Sequence, residues 1–378
     1  MNLRISGLIA AFAFAGILGS APSLAQNAYI TNAGSNTVSV IDTSTNQVTT
    51  TIPVGSFPDG VAVSPDGRRA YITNTGSGTV SVIDTATNKV IATILTSAQS
   101  VGIAVSPDGR RVYTANLLDQ SISVIDTGTN TLIATVPVSI FPYDVKVAGK
   151  KIYVTNCTAQ CSSSSPGTVT VLDAATDKVI ATIPVAPTTN APGLAVSPDG
   201  QKIYVTNEIS DNVPVIDTAT DTVTATIPLG NSTSAAVSPD GRKIFIPNRD
   251  NNVAVVDAAT NMVITTTGFI NGGLLGVSVT PDGRKVFVAN FDANTVSVID
   301  TATDTLTATI PVGTDPFAFG VFIRPAPRFA GSPGKANCYG QSVSALVRQY
   351  HGLYSAAAAL GFSSVKALEK AILEFCED

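Results

Sequence analysis

One stretch of the chain recurs at a nearly constant interval, and this recurrence limits the fold more than any other feature. Its clearest copy, residues 193–207, joins two runs rich in Val, Ile, Tyr and Thr through a Ser-Pro-Asp-Gly turn. Such runs favour β-strands, and Pro, Asp and Gly each favour a tight turn. Because a two-stranded hairpin is only marginally stable alone in water, the copies must pack on one another.

The repeat can be counted from the aromatic residue that opens the second strand of each unit. This residue occurs at Tyr29, Tyr71, Tyr113, Tyr153, Tyr204, Phe245 and Phe287. Asn follows three residues later in every unit, at Asn32, Asn74, Asn116, Asn156, Asn207, Asn248 and Asn290. We expect these Asn to be structural, through bonds to their own backbone and left-handed φ. Two further strands complete each unit, giving about forty residues per unit, the period of a propeller blade.

The two ends of the repeat predict how the ring closes. The first unit begins directly with its second strand, near residues 28–32, and a lone first strand occurs at 319–323. Pairing of these two segments would complete a last blade. The sequence therefore predicts an all-β fold, a seven-bladed β-propeller closed by N- and C-terminal strands that share one blade. Closure removes the free sheet edge that would otherwise favour aggregation.

The units resemble the YVTN family of β-propeller repeats. The literal motif stands at 153–156 and 204–207, and Tyr-Ile-Thr-Asn begins at Tyr29 and Tyr71. The resemblance covers roughly residues 27–324. It implies the propeller fold and, because the family includes exported and surface-layer proteins regarded mostly as binding modules, a role in binding. Blade four departs from the pattern, since its first hairpin lacks Pro-Asp and a loop is inserted after Asn156.

Three segments are expected to lie outside the propeller, which is predicted over 26–324. Residues 1–25 combine a basic start, an apolar stretch too short to span a bilayer and a small-residue cleavage site, which predicts a secretory signal peptide. Residues 325–336 are a Pro/Gly-rich linker. Residues 337–378 predict a small α-helical module, in which Ser363 precedes a helical face of Val365, Leu368, Ile372 and Phe375.

Composition restricts the partners and the compartment. The formal net charge is −5, and charged residues make up 13% of the chain, where about 25% is ordinary. An acidic chain lacks the basic surface that nucleic acid or an anionic membrane requires. We therefore expect an unknown protein or small ligand as partner, no nucleic acid, and no transmembrane segment after the signal peptide. The predicted location is the periplasm, the medium or the cell surface.

The four cysteines, Cys157, Cys161, Cys338 and Cys376, suggest disulfides in an exported chain. Proximity in sequence favours Cys157–Cys161 and Cys338–Cys376, although four cysteines allow three pairings. Buried free thiols are the alternative.

The chain lacks the residues on which several kinds of metal and cofactor site usually depend. The only histidine is His351, outside the predicted propeller, whereas copper, heme and zinc sites depend on His or on Cys clusters. One Asp recurs at the end of each third strand, where Asx-turn bonding explains it better than a calcium site: Asp42, Asp84, Asp126, Asp173, Asp217, Asp257 and Asp300. We predict no catalytic residue, no metal site and no cofactor.

The connections on one face of the ring differ from blade to blade, and loops on a rigid scaffold often carry function. The candidate binding face comprises Phe57, Asp59, Tyr143, Asp144, Asn190, Glu208, Arg249, Asn271, Phe291, Asp315 and Phe317. Replacing Tyr143, Asp144 and Arg249 together is expected to abolish partner capture without changing thermal stability.

The leading hypothesis is an exported, non-enzymatic binding or scaffold protein. One alternative is an enzyme or accessory subunit of a periplasmic oxidoreductase, or a lactonase-like hydrolase, with a site in the central funnel. Another is a structural surface-layer component. An enzyme should show convergent titratable groups with shifted pKa values in the funnel.

Overall fold

Seven small antiparallel sheets are arranged as the blades of a closed propeller. The computed structural model describes residues 26–97, 99–139, 141–157, 167–186, 193–208, 210–323, 342–343, 346, 353 and 365–377. Within each blade the strands follow one another in chain order, each antiparallel to the next. The all-β, seven-bladed prediction is therefore confirmed. The predicted signal peptide and linker lie outside the described residues.

The strand bounds follow the repeat closely. Blade A contains β1 (Asn27–Asn32), β2 (Thr37–Asp42) and β3 (Gln47–Pro53). Blade B contains β4 (Pro58–Val63), β5 (Arg69–Asn74), β6 (Thr79–Asp84) and β7 (Lys89–Leu95). Blade C contains β8 (Ser100–Val105), β9 (Arg111–Asn116), β10 (Ser121–Asp126) and β11 (Thr131–Pro137). Blade D contains β12 (Pro142–Ala148), β13 (Lys151–Asn156), β14 (Gly167–Asp173) and β15 (Lys178–Ala186).

Among the remaining blades, E and F have shorter inner strands. Blade E contains β16 (Leu194–Val196), β17 (Lys202–Val205), β18 (Val213–Asp217) and β19 (Thr222–Ile227). Blade F contains β20 (Ala236–Val237), β21 (Lys243–Asn248), β22 (Asn252–Asp257) and β23 (Met262–Thr266). Blade G contains β24 (Leu274–Val279), β25 (Lys285–Asn290), β26 (Thr295–Asp300) and β27 (Thr305–Pro311), and β28 (Phe319–Val321) follows.

The ring closes where the sequence predicts. The N–H of Tyr29 donates to the Phe322 carbonyl at 2.9 Å, and the N–H of Phe317 donates to the Thr31 carbonyl at 2.9 Å. Ala28 and Ile323 form an antiparallel bridge. The segment around β28 is thus the innermost strand of blade A, and β28 also pairs in parallel with β4 of blade B.

The core lies between the blades and is built from the repeated positions. All seven second-strand aromatics are at most 2% exposed. The Asn residues of the repeat are absent from the left-handed φ region. In five of the seven units the side-chain amide instead donates to hydroxyls of the third strand, as Asn74 does to Thr79 at 3.0 Å and to Ser81 at 2.9 Å. Asn207 donates to the Ser210 hydroxyl, and Asn248 donates to the side-chain oxygen of Asn252. Their role is structural, but the expected left-handed geometry is wrong.

The hairpin face is held by two repeated devices. The recurrent Asp accepts backbone N–H bonds two or three residues ahead, as Asp84 does from Thr87 at 2.8 Å, which confirms the Asx-turn prediction. A basic side chain at the start of the second strand also reaches the next blade, and we call these the inter-blade basic contacts: Arg69, Arg111, Lys151, Lys202, Lys243 and Lys285. Lys243 donates to the Thr301 carbonyl at 2.8 Å and pairs with Asp304 at 2.9 Å.

Helix α1 (Val365–Glu377) forms where the predicted apolar face lies, with Leu368 and Ile372 fully buried. The earlier part of the predicted helical module belongs mainly to the residues that are not described. None of the described helical segments is long and apolar enough to cross a membrane.

Candidate functional site

The variable loops meet on one face of the ring, opposite the hairpins. Backbone bonds show this directly: the N–H of Thr75 donates to Phe57 at 2.9 Å, and that of Gly76 donates to Ser56 at 3.0 Å. The turn after a second strand is therefore joined to the connection that enters the first strand. Two of these connections place a Phe in the left-handed region directly before a Pro, Phe57 with φ 55° and Phe141 with φ 48°.

The predicted site residues separate by depth on this face. Phe57, Arg249 and Asn271 are exposed, whereas Asp59 and Asp144 are buried. The half-buried members are Tyr143, Glu208, Phe291, Asp315 and Phe317. Asn190 lies outside the described residues. The predicted set is therefore partly a rim around the funnel and partly a cluster at its inner end.

Asp144 is the centre of an ion pair at the inner end of the funnel. It stands on β12 at a position where blade F carries Ser234 and four of the other blades carry glycine: Gly60, Gly102, Gly193 and Gly276. Both carboxylate oxygens accept from Lys146 Nζ, at 2.7 and 2.8 Å, and Oδ2 also accepts from the Leu194 N–H at 2.8 Å. Burial raises the pKa of Asp144, and the Lys146 charge opposes that shift. The carboxylate thus joins blade D to blade E.

A neighbouring glycine provides the space for this carboxylate. A Cβ added to Gly102 would lie 2.6 Å from both Asp144 Cα and the Tyr143 carbonyl oxygen, and 2.9 Å from Asp144 Oδ1. Real Cβ atoms do not approach so closely, so blade C can accommodate Asp144 only with glycine at this position.

Asp59 is a second buried carboxyl, on β4. It is 6% exposed, and its Oδ1 has no hydrogen-bond partner among the described residues. Burial raises the pKa of Asp59 to about 7, and the charge of Asp144 acts in the same direction. The backbone here is fixed, because Thr31 of blade A donates its hydroxyl to the Asp59 carbonyl oxygen at 2.7 Å. This carboxyl therefore changes protonation near neutral pH.

Tyr143 connects the inner carboxyls to the rim. Its ring packs edge-to-face on Phe319, with centroids 5.8 Å apart. Burial raises the pKa of the Tyr143 phenol; Asp59, Glu208 and Asp144 raise it further, and Arg249 opposes them. These groups lie in one another's electrostatic field. We call Asp59, Tyr143, Asp144 and Lys146 the funnel cluster.

The rim above the cluster carries a further ion pair. Arg249 Nη2 lies 2.7 Å from Glu208 Oε2, with the Arg side chain 62% exposed and the Glu side chain 12% exposed. Lys146 was not among the predicted site residues. Its signal in the sequence was a lysine between Val145 and Val147, where the equivalent positions of blades B, C and E carry Ala62, Ala104 and Ala195.

A heme iron or a metal ion does not fit the residues present. Heme iron is usually held by His, Met, Cys or Tyr. The chain has no His before His351, and Met262 is 58% exposed on the outer strand β23. The raised pKa of Tyr143 opposes the phenolate form that would bind iron. The described residues also contain no group of three His, Cys, Asp or Glu side chains placed to hold a metal ion.

The fold and this cluster define a class: a seven-bladed propeller with ionisable groups converging in its funnel. Residues 24–150, about a third of the chain, match the family Cytochrome D1 heme domain. A curated relative, the PE-PGRS family protein PE_PGRS18 of Mycobacterium tuberculosis, is 67% identical over 39 residues. That match covers 10% of this chain and 8% of the relative, which is about the length of one blade.

Solved structures with the same fold include a hydrazine synthase and a dehydrogenase. Hydrazine synthase of Kuenenia stuttgartiensis gives a TM-score of 0.62 at 21% identity, covering 69% of this chain and 88% of that chain. Dihydro-heme d1 dehydrogenase NirN gives 0.55 at 17% identity, covering 77% and 74%. A functionally unknown protein from Desulfotomaculum acetoxidans gives 0.66 at 15% identity, covering 78% and 99%. At these low sequence identities, the similarity shows a shared fold only.

The leading functional hypothesis is wrong in the light of these matches. A non-enzymatic binding or scaffold protein was expected, whereas the family model that matches residues 24–150 is the Cytochrome D1 heme domain. The findings favour the alternative of an oxidoreductase-associated propeller. The seven-bladed propeller is established, and membership of the YVTN repeat family stays a prediction.

Proposed function

We propose that the chain is an accessory propeller subunit of an exported oxidoreductase. Its funnel receives the substrate, the funnel cluster exchanges a proton with it, and a partner protein supplies the redox centre. The match of residues 24–150 to the Cytochrome D1 heme domain supports the redox context. The poor fit to heme iron supports a partner that holds the redox centre.

The single observation that carries the proposal is Asp59. A buried carboxyl with a pKa of about 7 and a free Oδ1 among the described residues is suited to take up or release a proton at neutral pH. Most two-electron redox reactions of small molecules also move protons, which an electron-transfer centre alone does not provide. Both oxygens of Asp144 are held by Lys146 Nζ, and one also accepts from the Leu194 N–H, whereas Asp59 Oδ1 has no hydrogen-bond partner among the described residues, so that Asp59 is the carboxyl proposed to exchange the proton.

The charge of the site also has a definite sign. With Asp59 ionised, the funnel cluster and the rim pair contain three carboxylates, Asp59, Asp144 and Glu208, against two cations, Lys146 and Arg249. The excess is one negative charge. A neutral or cationic substrate is therefore favoured over an anionic one at the inner end of the funnel.

The experiment is a co-purification followed by an activity assay. The tagged chain is isolated from the exported fraction of its host, and bound proteins are examined for visible absorbance and for reduction of an artificial electron acceptor. We expect a redox-active partner, and we expect Asp59→Asn to retain that partner while changing the pH profile of the activity. Partners without any redox centre would contradict the proposal.

Export itself belongs to the proposal. Residues 1–25 carry the features of a secretory signal peptide, and an oxidising compartment would allow the predicted Cys157–Cys161 and Cys338–Cys376 disulfides. Cys157 is fully buried at the loop face, and the sulfur atoms of the other three cysteines lie outside the described residues. Mass spectrometry of the protein secreted by its host tests the cleavage site and the pairing together.

A further inference from the structure

A cleft opens on the loop face between blades F and G. Its volume is about 430 Å³. The residues that give it chemical character are Arg249, Asn251, Asn271, Leu275, Phe291 and Asp292. Arg249 belongs also to the rim pair, but the funnel cluster does not line this cleft.

One wall of the cleft is the connection that enters blade G. Seven residues, 267–273, join β23 to β24, and Asn271, Gly272 and Gly273 of this connection line the cleft. Gly272 and Gly273 have φ values of 101° and 50°. A Cβ on Gly272 would lie 2.6 Å from the Ala293 Cβ, so the connection rests directly on the next turn.

The walls of the cleft are fixed before any ligand arrives. The N–H of Phe291 donates to the Gly273 carbonyl at 3.0 Å, and that of Ile270 donates to the Asn251 carbonyl at 2.7 Å. The Phe291 ring is held from behind by an edge-to-face contact with Phe317, with centroids 5.7 Å apart. Preorganised walls reduce the entropy lost on binding.

The chemistry of the walls selects a ligand class. The guanidinium of Arg249 has five N–H donors in a planar fork, one nitrogen of which serves Glu208, and such forks recognise carboxylates. Leu275 and Phe291 offer an apolar surface for a ring. Asp292, on the blade G wall, repels a second anionic group and accepts a hydrogen bond. We propose that this cleft binds a small aromatic carboxylate that also carries a hydroxyl or amine donor.

Ligand-observed saturation-transfer NMR on the purified full chain tests the proposal, with 4-hydroxybenzoate as the probe. The neutral analogue 4-hydroxybenzyl alcohol should bind at least about tenfold more weakly. Arg249→Gln should weaken the binding of 4-hydroxybenzoate by about tenfold or more. Glu208→Gln should strengthen that binding, because Arg249 loses a competing anion. Arg242→Gln, on the hairpin face, is the matched control and should leave binding unchanged.

Two results would overturn the inference. One is equal binding of the alcohol and the carboxylate, and the other is undiminished carboxylate binding by Arg249→Gln. Absence of any saturation transfer to 4-hydroxybenzoate would equally contradict it. None of these results bears on the oxidoreductase proposal, because Asp59 does not line the cleft.

Discussion

Single residues that interrupt the repeat carry the chemistry of this propeller. Blade D has Asp144 and Lys146 where blade C has Gly102 and Ala104. The substitution of two small residues by an ion pair, 1% and 8% exposed, is costly unless both charges find partners. Here the two charges are each other's partners, and the Leu194 N–H also donates to Asp144, so the ion pair is a stable part of the inner strands.

Removing one half of this pair should destabilise the protein strongly. Asp144→Ala leaves a buried ammonium without its carboxylate, and we expect a loss of about 3–5 kcal/mol in the free energy of unfolding. Urea denaturation measures this loss. The buried ion pair therefore predicts the opposite of an unchanged thermal stability when Asp144 is replaced together with Tyr143 and Arg249, and the same urea denaturation decides between the two expectations.

The double variant Asp144→Gly with Lys146→Ala is the control, since it copies blade C. It should recover most of the stability. A double variant as unstable as Asp144→Ala would mean that the backbone of blade D, not the unpaired charge, is responsible.

Asp59 should make stability depend on pH in an unusual direction. Its pKa in the folded protein is about 7, above the ordinary 3.8, so the folded state binds the proton more tightly than the unfolded state. The contribution of Asp59 to the free energy of unfolding is fully present below about pH 4 and is lost as the pH rises to about 7. The total loss is at most about 4 kcal/mol. Asp59→Asn should remove that dependence.

Thermal denaturation of both proteins at pH 5 and pH 8 checks this prediction. On going from pH 5 to pH 8, the melting temperature of Asp59→Asn should rise relative to that of the natural protein. A constant difference between the two proteins at both pH values would show that Asp59 does not titrate in this range.

At the scale of elements, close approach of the inner strands depends on glycine. Gly102→Ala would place a methyl group 2.6 Å from Asp144 Cα and from the Tyr143 carbonyl oxygen, both of which are backbone atoms that cannot rotate away. We expect a loss of about 2–4 kcal/mol. Gly268→Ala, where an added Cβ meets nothing within 4 Å, should change stability by less than about 1 kcal/mol. Equal effects in urea denaturation would contradict the packing argument.

The inter-blade basic contacts should stabilise the protein, and this stabilisation should be smaller at high salt. Lys243 reaches both a carbonyl and a carboxylate of the next blade, and its side chain is 30% exposed. Lys243→Ala should cost about 1–2 kcal/mol at low salt and less at 1 M NaCl. Lys178→Ala, at an exposed strand start, should have little effect. A loss that is independent of salt would assign the effect to packing instead.

For the whole molecule, repetition made the architecture readable from sequence. Strand order, ring size and the clasp between β1 and β28 all follow from counting equivalent residues such as Tyr29 and Phe287. The funnel cluster could not be obtained in this way. Asp59 and Asp144 lie 85 positions apart, on blades B and D, with blade C between them. The space for Asp144 depends on Gly102, which in the sequence looks like any other glycine of the repeat.

The clasp can be tested by a covalent bond across it. Ala28 and Ile323 face each other in an antiparallel bridge, a geometry in which Cα atoms lie close enough for a disulfide. The double variant Ala28→Cys with Ile323→Cys should raise the melting temperature under oxidising conditions. Reduction with a mild thiol should reverse the gain, and an unchanged melting temperature in the oxidised form would argue against the closure described.

Blade A differs from the other six in how it contacts its neighbour, since Asn27 stands where they carry Arg or Lys. Tyr29 there donates to Asn88 at 3.2 Å, and parallel pairing of β28 with β4 holds the same junction from inside. The junction that contains both ends of the propeller thus relies on backbone hydrogen bonds between uncharged groups. The export proposed above would place the ring in a medium of variable ionic strength. The point at which this ring would open is therefore held without the ion pairs that salt weakens.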